Sequence, residues 1–168
     1  MTLPIDGPPV HAEEIAHAPI CEGLSPEDVA TLARHMFASS HPHDAVLYEE
    51  GSLEANDLLI ILDGQIEIGT RQRFGGETLT LRLDPGDVAG ILGFVGGRPH
   101  VGTARAISDC RVGRLSCAQF AHLCENHGGI AIRILRFLVL ALDGFSSNLI
   151  ERYKESLSFM YGAMHTKK

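Results

Sequence analysis

A glycine-rich segment, residues 86–106, constrains the fold of this chain more than any other part of its 168 residues. It reads GDVAGILGFVGGRPHVGTARA, so a Pro-Gly-Asp turn leads into a short apolar stretch and then into a strand-like end. A helical turn at 91–95, between Gly90 and Gly96, would leave free backbone N–H groups at its start, and glycines let a ligand approach closely. The segment therefore predicts a cradle for an anion such as a phosphate.

The same segment resembles the phosphate-binding cassette of cyclic-nucleotide-binding domains of the catabolite-activator type. That cassette reads roughly G-D-x-x-G-E-x-A-L, a spacer, and then P-R-S/T-A-T-x-x-A. The positions in register, without a gap, are Gly86, Asp87, Gly90, Leu92, Pro99, Thr103 and Ala106. The resemblance covers about residues 25–152 and implies a β jelly roll whose cassette holds a cyclic nucleotide.

Three positions depart from the family's pattern. The ribose-binding Glu of the family falls on Ile91, its phosphate-binding Arg on His100, and the following Ser or Thr on Val101. We therefore expect the cradle to be kept and its charged contacts to be lost. Arg98 or a protonated His100 could replace the missing Arg, and the alternative is that His100 only caps the hinge. The predicted ligand-binding positions are Gly90, Ile91, Leu92, Gly93, Arg98, Pro99, His100 and Val101.

Short apolar or alternating segments bounded by glycine turns predict β-strands through the middle of the chain. They lie at 46–48, 58–62, 65–69, 78–83, 103–107 and 111–115. Ser25, Pro26 and Asp28 predict the capped start of one helix, and Ser116 predicts the start of another. The predicted fold class is mainly β with flanking helices, a cyclic-nucleotide-binding-like β jelly-roll barrel followed by a long C-terminal helix.

The longest predicted element is a helix over residues 130–160. Apolar side chains repeat along it at intervals of three and four, a spacing with coiled-coil character. They are Leu135, Leu138, Leu142, Phe145 and Leu149. We expect this helix to form a homodimer. The predicted organisation is an irregular N-terminal arm (1–24), a domain that includes the dimerisation helix (25–160) and a tail (161–168).

Composition argues against several classes of partner. A net charge of -7 disfavours a surface that collects nucleic-acid phosphates. The chain also stops about where the DNA-binding domain of the resembled regulators would begin, so we expect no DNA binding. The most apolar run, 130–142, contains Arg133 and Arg136 and is too short to span a bilayer. Four cysteines without C-x-x-C spacing favour reduced thiols and a cytoplasmic location.

A metal enzyme is the alternative that the histidines raise. His41 and His43, followed by Glu49, faintly resemble the metal motif of cupins, another jelly-roll family. Alternate residues of a strand share a face, so the pair could chelate a divalent ion. However, Pro42 separates the two histidines, and the second cupin motif would need a His that the chain lacks after its Pro-Gly-Asp turn. A surface loop is the simpler interpretation.

The predicted function is a non-enzymatic regulatory and signalling module that binds cyclic AMP or cyclic GMP weakly and in an unusual way. The first alternative is a scaffold or partner-binding protein with no small-molecule ligand, and the second is a cupin-like metal enzyme. An unidentified protein partner is compatible with either non-enzymatic reading. The sequence predicts no catalytic residues, no metal site and no certain cofactor.

Overall fold

A computed structural model describes residues 7–54, 56–70 and 80–165 of the chain. Compactness divides the chain into two units, Met1–Ile134 and Leu135–Lys168. The first unit holds the strands and most of the helices. The second consists, in its described part, of the continuation of one helix.

The strands of the first unit form two four-stranded antiparallel sheets, in the orders β1-β8-β3-β6 and β2-β7-β4-β5. Together they make the predicted β jelly roll. The strand bounds are β1 (Phe37–His41), β2 (Val46–Tyr48), β3 (Leu58–Asp63), β4 (Ile66–Gly69), β5 (Thr80–Leu83), β6 (Val88–Ala89), β7 (Thr103–Ala106) and β8 (Cys110–Leu115).

The interior of the barrel is aliphatic. Strand β3 is buried over its first four residues, and its Leu59 and Ile61 pack with Val112 and with Ala104 and Ala106. The small alanines of β7 leave room for the larger side chains that face them. The core therefore fills much of the barrel with side chains, and β7 returns the chain from the cassette into that core.

The described residues also form five α-helices. They are α1 (Ala12–Ile15), α2 (Pro26–Arg34), α3 (Ile91–Gly96), α4 (Cys117–Asn126) and α5 (Gly128–His165). The predicted capping box of α2 is confirmed: the Ser25 hydroxyl accepts the Asp28 N–H at 3.1 Å, and the Asp28 carboxylate accepts the Ser25 N–H at 3.2 Å. At the start of α4 the Ser116 hydroxyl accepts the Gln119 N–H at 3.2 Å, which confirms the predicted helix start. No described helix has an apolar stretch long enough to cross a membrane.

The structure corrects several sequence predictions. Residues 1–24 are not wholly irregular, because a capping box between His11 and Glu14 starts α1, and a 3-10 turn follows at Pro19–Cys21. Helix α5 begins at Gly128 and continues to His165, so the predicted tail at 161–168 starts inside a helix. Strands β1 and β6 were not predicted. The first residues of the strand expected at 78–83 lie outside the described residues.

Candidate ligand-binding site

The cassette starts at a turn that is hydrogen-bonded to the barrel. The Gly86 N–H donates to the Ile61 carbonyl at 2.8 Å, and the Ile61 N–H donates to the Asp87 carbonyl at 3.0 Å. The Asp87 carboxylate accepts the Asp84 N–H at 2.9 Å and so closes the turn on itself. Gly86 has a φ of 96°, which a side chain would disfavour. This part of the cassette motif therefore has a structural role.

The predicted helical turn at 91–95 is confirmed as α3. Gly90 is its N-cap with a φ of 82°, and Gly97 is its C-cap with a φ of 57°. The first intrahelical bond runs from the Phe94 N–H to the Gly90 carbonyl at 2.9 Å. The N–H groups at positions 91–93 therefore have no acceptor within the helix. These are the N–H groups that the predicted cradle would use.

His100 is a buried part of this site. Its side chain is only 5% exposed and its ring stacks on the Tyr48 ring, with centroids 3.9 Å apart and an interplanar angle of 12°. The Nε2 atom lies 3.3 Å from the Glu54 carbonyl oxygen, which can only accept, so Nε2 carries the proton and donates. On the backbone, the His100 N–H donates to the Ser52 carbonyl and the Gly51 N–H donates to the His100 carbonyl. The imidazole is therefore held in one orientation.

Tyr48 links this ring pair to the start of α3. It is 8% exposed, and its hydroxyl is hydrogen-bonded to the Gly90 backbone. Burial raises the pKa of Tyr48 to about 12, while the contact with Gly90 acts in the opposite direction. The phenol therefore stays neutral at any physiological pH. Sequence reasoning missed Tyr48 as a site residue, although it ends a strand that pairs with β7 beside the cassette.

Gly93 packs closely against Asn56 and the His100 ring. A Cβ at Gly93 would stand 2.7 Å from Asn56 Oδ1 and 3.3 Å from His100 Cε1. Asn56 Oδ1 is buried without a hydrogen-bond partner. The Cys117 thiol lies 3.4 Å from the Asn56 carbonyl and 3.7 Å from the Phe94 carbonyl, so α4 also reaches this region. The space next to the first turn of α3 is therefore occupied by side chains of the protein itself.

The other predicted positions differ in exposure. Ile91 is half-buried, and the side chains of Leu92, Arg98, Pro99 and Val101 are exposed. The stem of Arg98 passes Gly96, the last residue of α3, with its Cγ 3.5 Å and its Nε 3.9 Å from a Cβ placed there. The structure thus brings Gly90, Gly93 and His100 together in the cradle and places the Arg98 stem beside the opposite end of the helix.

A cavity of about 290 Å³ adjoins Tyr48. Its lining combines strand β2 and the following loop, with the residues Val46, Leu47, Tyr48, Glu49, Ser52 and Glu54. Two of the six are carboxylates. A nearby negative charge raises the electrostatic cost of placing an anion, so this lining does not favour a phosphate.

The two histidines of the metal alternative lie at the C-terminal end of β1 and in the turn that follows it. His41 is the last residue of that strand, and its Nε2 is 3.0 Å from the Ser39 hydroxyl. His43 is exposed beside Asp44, in the turn that follows. Within the part of the chain that the structure describes, no three His, Cys, Asp or Glu side chains are grouped so as to hold a metal ion.

A two-sheet jelly roll with a hydrogen-bonded Gly-Asp turn, a short glycine-capped helix and a long C-terminal helix defines a cyclic-nucleotide-binding type of regulatory domain. The comparison with known families agrees. The model of the cyclic nucleotide-binding domain family matches residues 39–127, which is more than half of the chain. The chain belongs to this family.

Individual proteins resemble the chain over most of its length. It is 26% identical over 139 residues to a CRP-like cAMP-activated global transcriptional regulator of Mycobacterium tuberculosis, covering 83% of this chain and 62% of that protein. Among solved structures, a cyclic nucleotide-binding domain from Methylobacillus flagellatus is 22% identical with a TM-score of 0.71, over 88% of this chain and 80% of that one. The Thermus thermophilus catabolite activator protein is 19% identical with a TM-score of 0.64, over 86% and 63%. At these identities the two structures show the fold.

Proposed function

We propose that this chain is a non-enzymatic regulatory module whose cassette binds cyclic AMP or cyclic GMP only weakly. The observation that carries the proposal is the position of His100. The residue that stands where the resembled family has its phosphate-binding Arg is buried against Tyr48 and fixed by the Glu54 carbonyl. In this proposal the backbone N–H groups of the cradle remain, but the His100 ring, packed on Tyr48, stands in place of the Arg that would contact the phosphate.

The expected loss of affinity follows from the contacts that are missing. A hydrogen bond to a charged group contributes about 1.5 to 3 kcal/mol, and an Arg makes two such bonds to a phosphate. Without the Arg and without the Glu that Ile91 replaces, we expect affinity to fall by roughly a hundredfold or more. The nearby Glu49 and Glu54 carboxylates add to this loss, because they lie beside the adjoining cavity.

The relatives support a regulatory output. The curated relative is named as a transcriptional regulator, and this chain spans 62% of that protein's length. We therefore propose regulation by binding, with no reaction of its own. Net charge -7 supports the further proposal that this chain does not itself bind duplex DNA.

A thermal-shift titration tests the proposed weak binding. We expect cyclic AMP or cyclic GMP to raise the melting temperature at millimolar concentration and to leave it unchanged at micromolar concentration, because stabilisation follows the ratio of ligand concentration to Kd. The corresponding linear nucleotide 5′-monophosphate is the matched control, since it carries the same base and phosphate without the ring. A clear shift at micromolar cyclic nucleotide would refute the proposal, and so would no shift at any concentration.

A partner-binding role is the second candidate, and exposed apolar side chains near the cassette favour it. Leu92 and Val95 are exposed on α3. Leu53 and Val101, which follow directly after the hydrogen-bonded pair Ser52 and His100, are exposed as well. Apolar side chains grouped at a surface are typical of contacts with other proteins. In that case the cassette would signal through a protein, with or without a nucleotide.

We also propose that helix α5 forms a homodimer through the apolar side chains that it exposes. The predicted seam included Leu138, which is 1% exposed and therefore buried within the chain itself. In the described part of the helix, Leu135 of the predicted seam is exposed and Leu142 is half-buried. The other exposed apolar side chains lie outside that seam, at Ile132, Val139 and Leu140. Ile132 and Val139 are seven residues apart, which is two helical turns, so they share one face. The side chains of Phe145 and Leu149 lie outside the described residues.

Substitution of Val139 tests the dimer. Val139 is 64% exposed in the single chain, so Val139→Glu should leave the fold intact while it places a charge in an apolar contact. We expect the wild type to sediment as a dimer at micromolar concentration. The dimer Kd of the variant should be at least tenfold higher. Ala121→Glu, at an exposed position of α4, is the charge-matched control, because it adds the same single negative charge on another helix. A monomeric wild type, or an unaffected variant, would contradict the proposal.

A further inference from the structure

Three histidines meet where helices α2 and α4 end, away from the cassette. His35 is the C-cap of α2, His122 lies in the middle of α4, and His127 is the C-cap of α4. His35 Nε2 is 3.0 Å from His122 Nδ1, and the His35 ring centroid is 5.2 Å from that of His122 and 5.8 Å from that of His127. All three belong to the first compact unit, and nothing in the proposed function uses them.

The hydrogen bonds of His35 fix where its proton sits. His35 Nδ1 lies 2.8 Å from the Thr31 carbonyl oxygen, and because a carbonyl only accepts, Nδ1 carries the proton. In neutral His35 the Nε2 atom is then an acceptor. His122 must donate its Nδ1–H to it, which leaves the outer Nε2 of His122 without a proton. One arrangement of protons satisfies the neutral pair.

The response to added protons follows from this arrangement. A first proton on the outer Nε2 of His122 leaves the Nδ1–H donor in place and converts the bond to a charge-assisted one, which is stronger. With one proton in the pair, one of the two facing nitrogens can still accept; once His122 is charged in this way, a second proton on His35 Nε2 places two N–H groups opposite each other at 3.0 Å. The bond between α2 and α4 could not survive that geometry, so protonation of His35 is the step that breaks it.

The surroundings of His35 oppose its protonation. It is 6% exposed, and burial lowers its pKa from the usual value near 6.5. The hydrogen bond to the Thr31 carbonyl raises the pKa of His35 and so offsets part of the effect of burial. The charged and titratable groups that act on it are His122 and His127 on α4 and Arg34 on its own helix, and each lowers the pKa further.

We propose that His35, His122 and His127 form an acid-sensitive latch that holds the end of α2 to α4 while His35 is neutral and opens when His35 takes up a proton. The latch adjoins a junction: the His127 N–H donates to the Leu123 carbonyl at 2.7 Å, and the His127 carbonyl accepts the Ile130 N–H at 2.9 Å. Opening therefore loosens the turn from α4 into the start of α5.

The sign of the pH dependence is set by the lowered pKa. Above about pH 6.5 His35 is neutral in the folded and unfolded states, so the latch contributes fully. As the pH falls below that value, the unfolded chain binds a proton that the folded chain resists, and stability is lost. His41, whose pKa burial also lowers, acts in the same direction, so only a comparison of variants isolates His35.

Urea unfolding of the full chain between pH 7.5 and pH 5 tests the latch. We expect the unfolding constant of the wild type to rise, below about pH 6.5, by up to about tenfold per pH unit more than that of His35→Asn, as one bound proton requires. The Asn amide can still donate to the Thr31 carbonyl and cannot titrate. His17→Asn, at an exposed histidine, is the matched control and should behave as the wild type does.

Three outcomes would overturn the proposal. The first is equal pH dependence in the wild type and His35→Asn. The second, read from an NMR titration of the wild type and independent of whether any variant folds, is a His35 ring whose titration midpoint is not below the ordinary value of about 6.5. The third is a pH response that disappears after treatment with EDTA, since that would show that a bound metal and not a proton joins the rings.

Discussion

Replacing Gly90 with alanine is expected to lower the free energy of unfolding by about 2 to 4 kcal/mol, because two separate costs meet at this residue. Its φ of 82° is unfavourable for any residue with a side chain. A Cβ there would also stand 2.6 Å from the Asp57 carbonyl oxygen. Asp57 cannot move away easily, because its carboxylate is paired with Arg114 Nε at 3.0 Å.

Gly97 provides the control for this prediction. It caps the other end of α3 with a φ of 57°, and a Cβ at Gly97 would meet no atom within 4 Å. Gly97→Ala should therefore show the cost of the backbone alone, about 1 kcal/mol. Chemical denaturation of both variants gives the comparison. Equal losses of unfolding free energy in the two variants would show that Asp57 does not crowd a side chain at position 90.

The triple variant Ile91→Glu, His100→Arg, Val101→Ser should bind cyclic AMP or cyclic GMP at least ten times more tightly than the wild type. The N–H groups at positions 91–93 have no acceptor within α3, and the substitutions are designed to add the side-chain contacts that the proposed cradle lacks. A tenfold gain corresponds to about 1.4 kcal/mol, which two new charge-assisted contacts exceed. The gain is reduced by the loss of the stacking of His100 on Tyr48.

Calorimetry of the triple variant needs a control of similar size without the new charges. The control Ile91→Gln, His100→Gln, Val101→Ser also removes the His100 imidazole, but it introduces no charged side chain. Its affinity for the cyclic nucleotide should therefore stay near that of the wild type. Equal affinity in the triple variant and this control would mean that the loop no longer fits a cyclic nucleotide. Tight binding by the wild type would mean that His100 or Arg98 already replaces the missing Arg.

Much of the fold is predictable from local sequence, because its signals are local. The capping box at Ser25, the apolar run of β3 and the glycines around α3 each determine structure within a few residues. Strand β1 escaped prediction because its sequence, FASSH, does not alternate, and pairing with β8 rather than its own pattern makes it a strand. Strand β6 is two residues long and is likewise defined by its partner, β3.

The site is less predictable than the fold, because its central contacts join distant parts of the chain. The sequence identifies position 100 as unusual, but it does not show that the imidazole lies on Tyr48, more than fifty residues earlier. The same holds for α5, where helical spacing predicts an apolar face and leaves open which apolar side chains the chain itself buries. The spacing therefore assigns Leu138 to the dimer seam, whereas the fold buries it.

The central claim is that the ring of His100, packed on Tyr48, occupies the place of a charged phosphate contact. NMR of the ligand-free wild-type chain tests it most directly, through nuclear Overhauser contacts between the ring protons of the two residues. We predict that strong contacts are present and that they persist in micromolar cyclic AMP. A His100 ring without contacts to Tyr48, or one that leaves Tyr48 when micromolar cyclic AMP is added, would contradict the account.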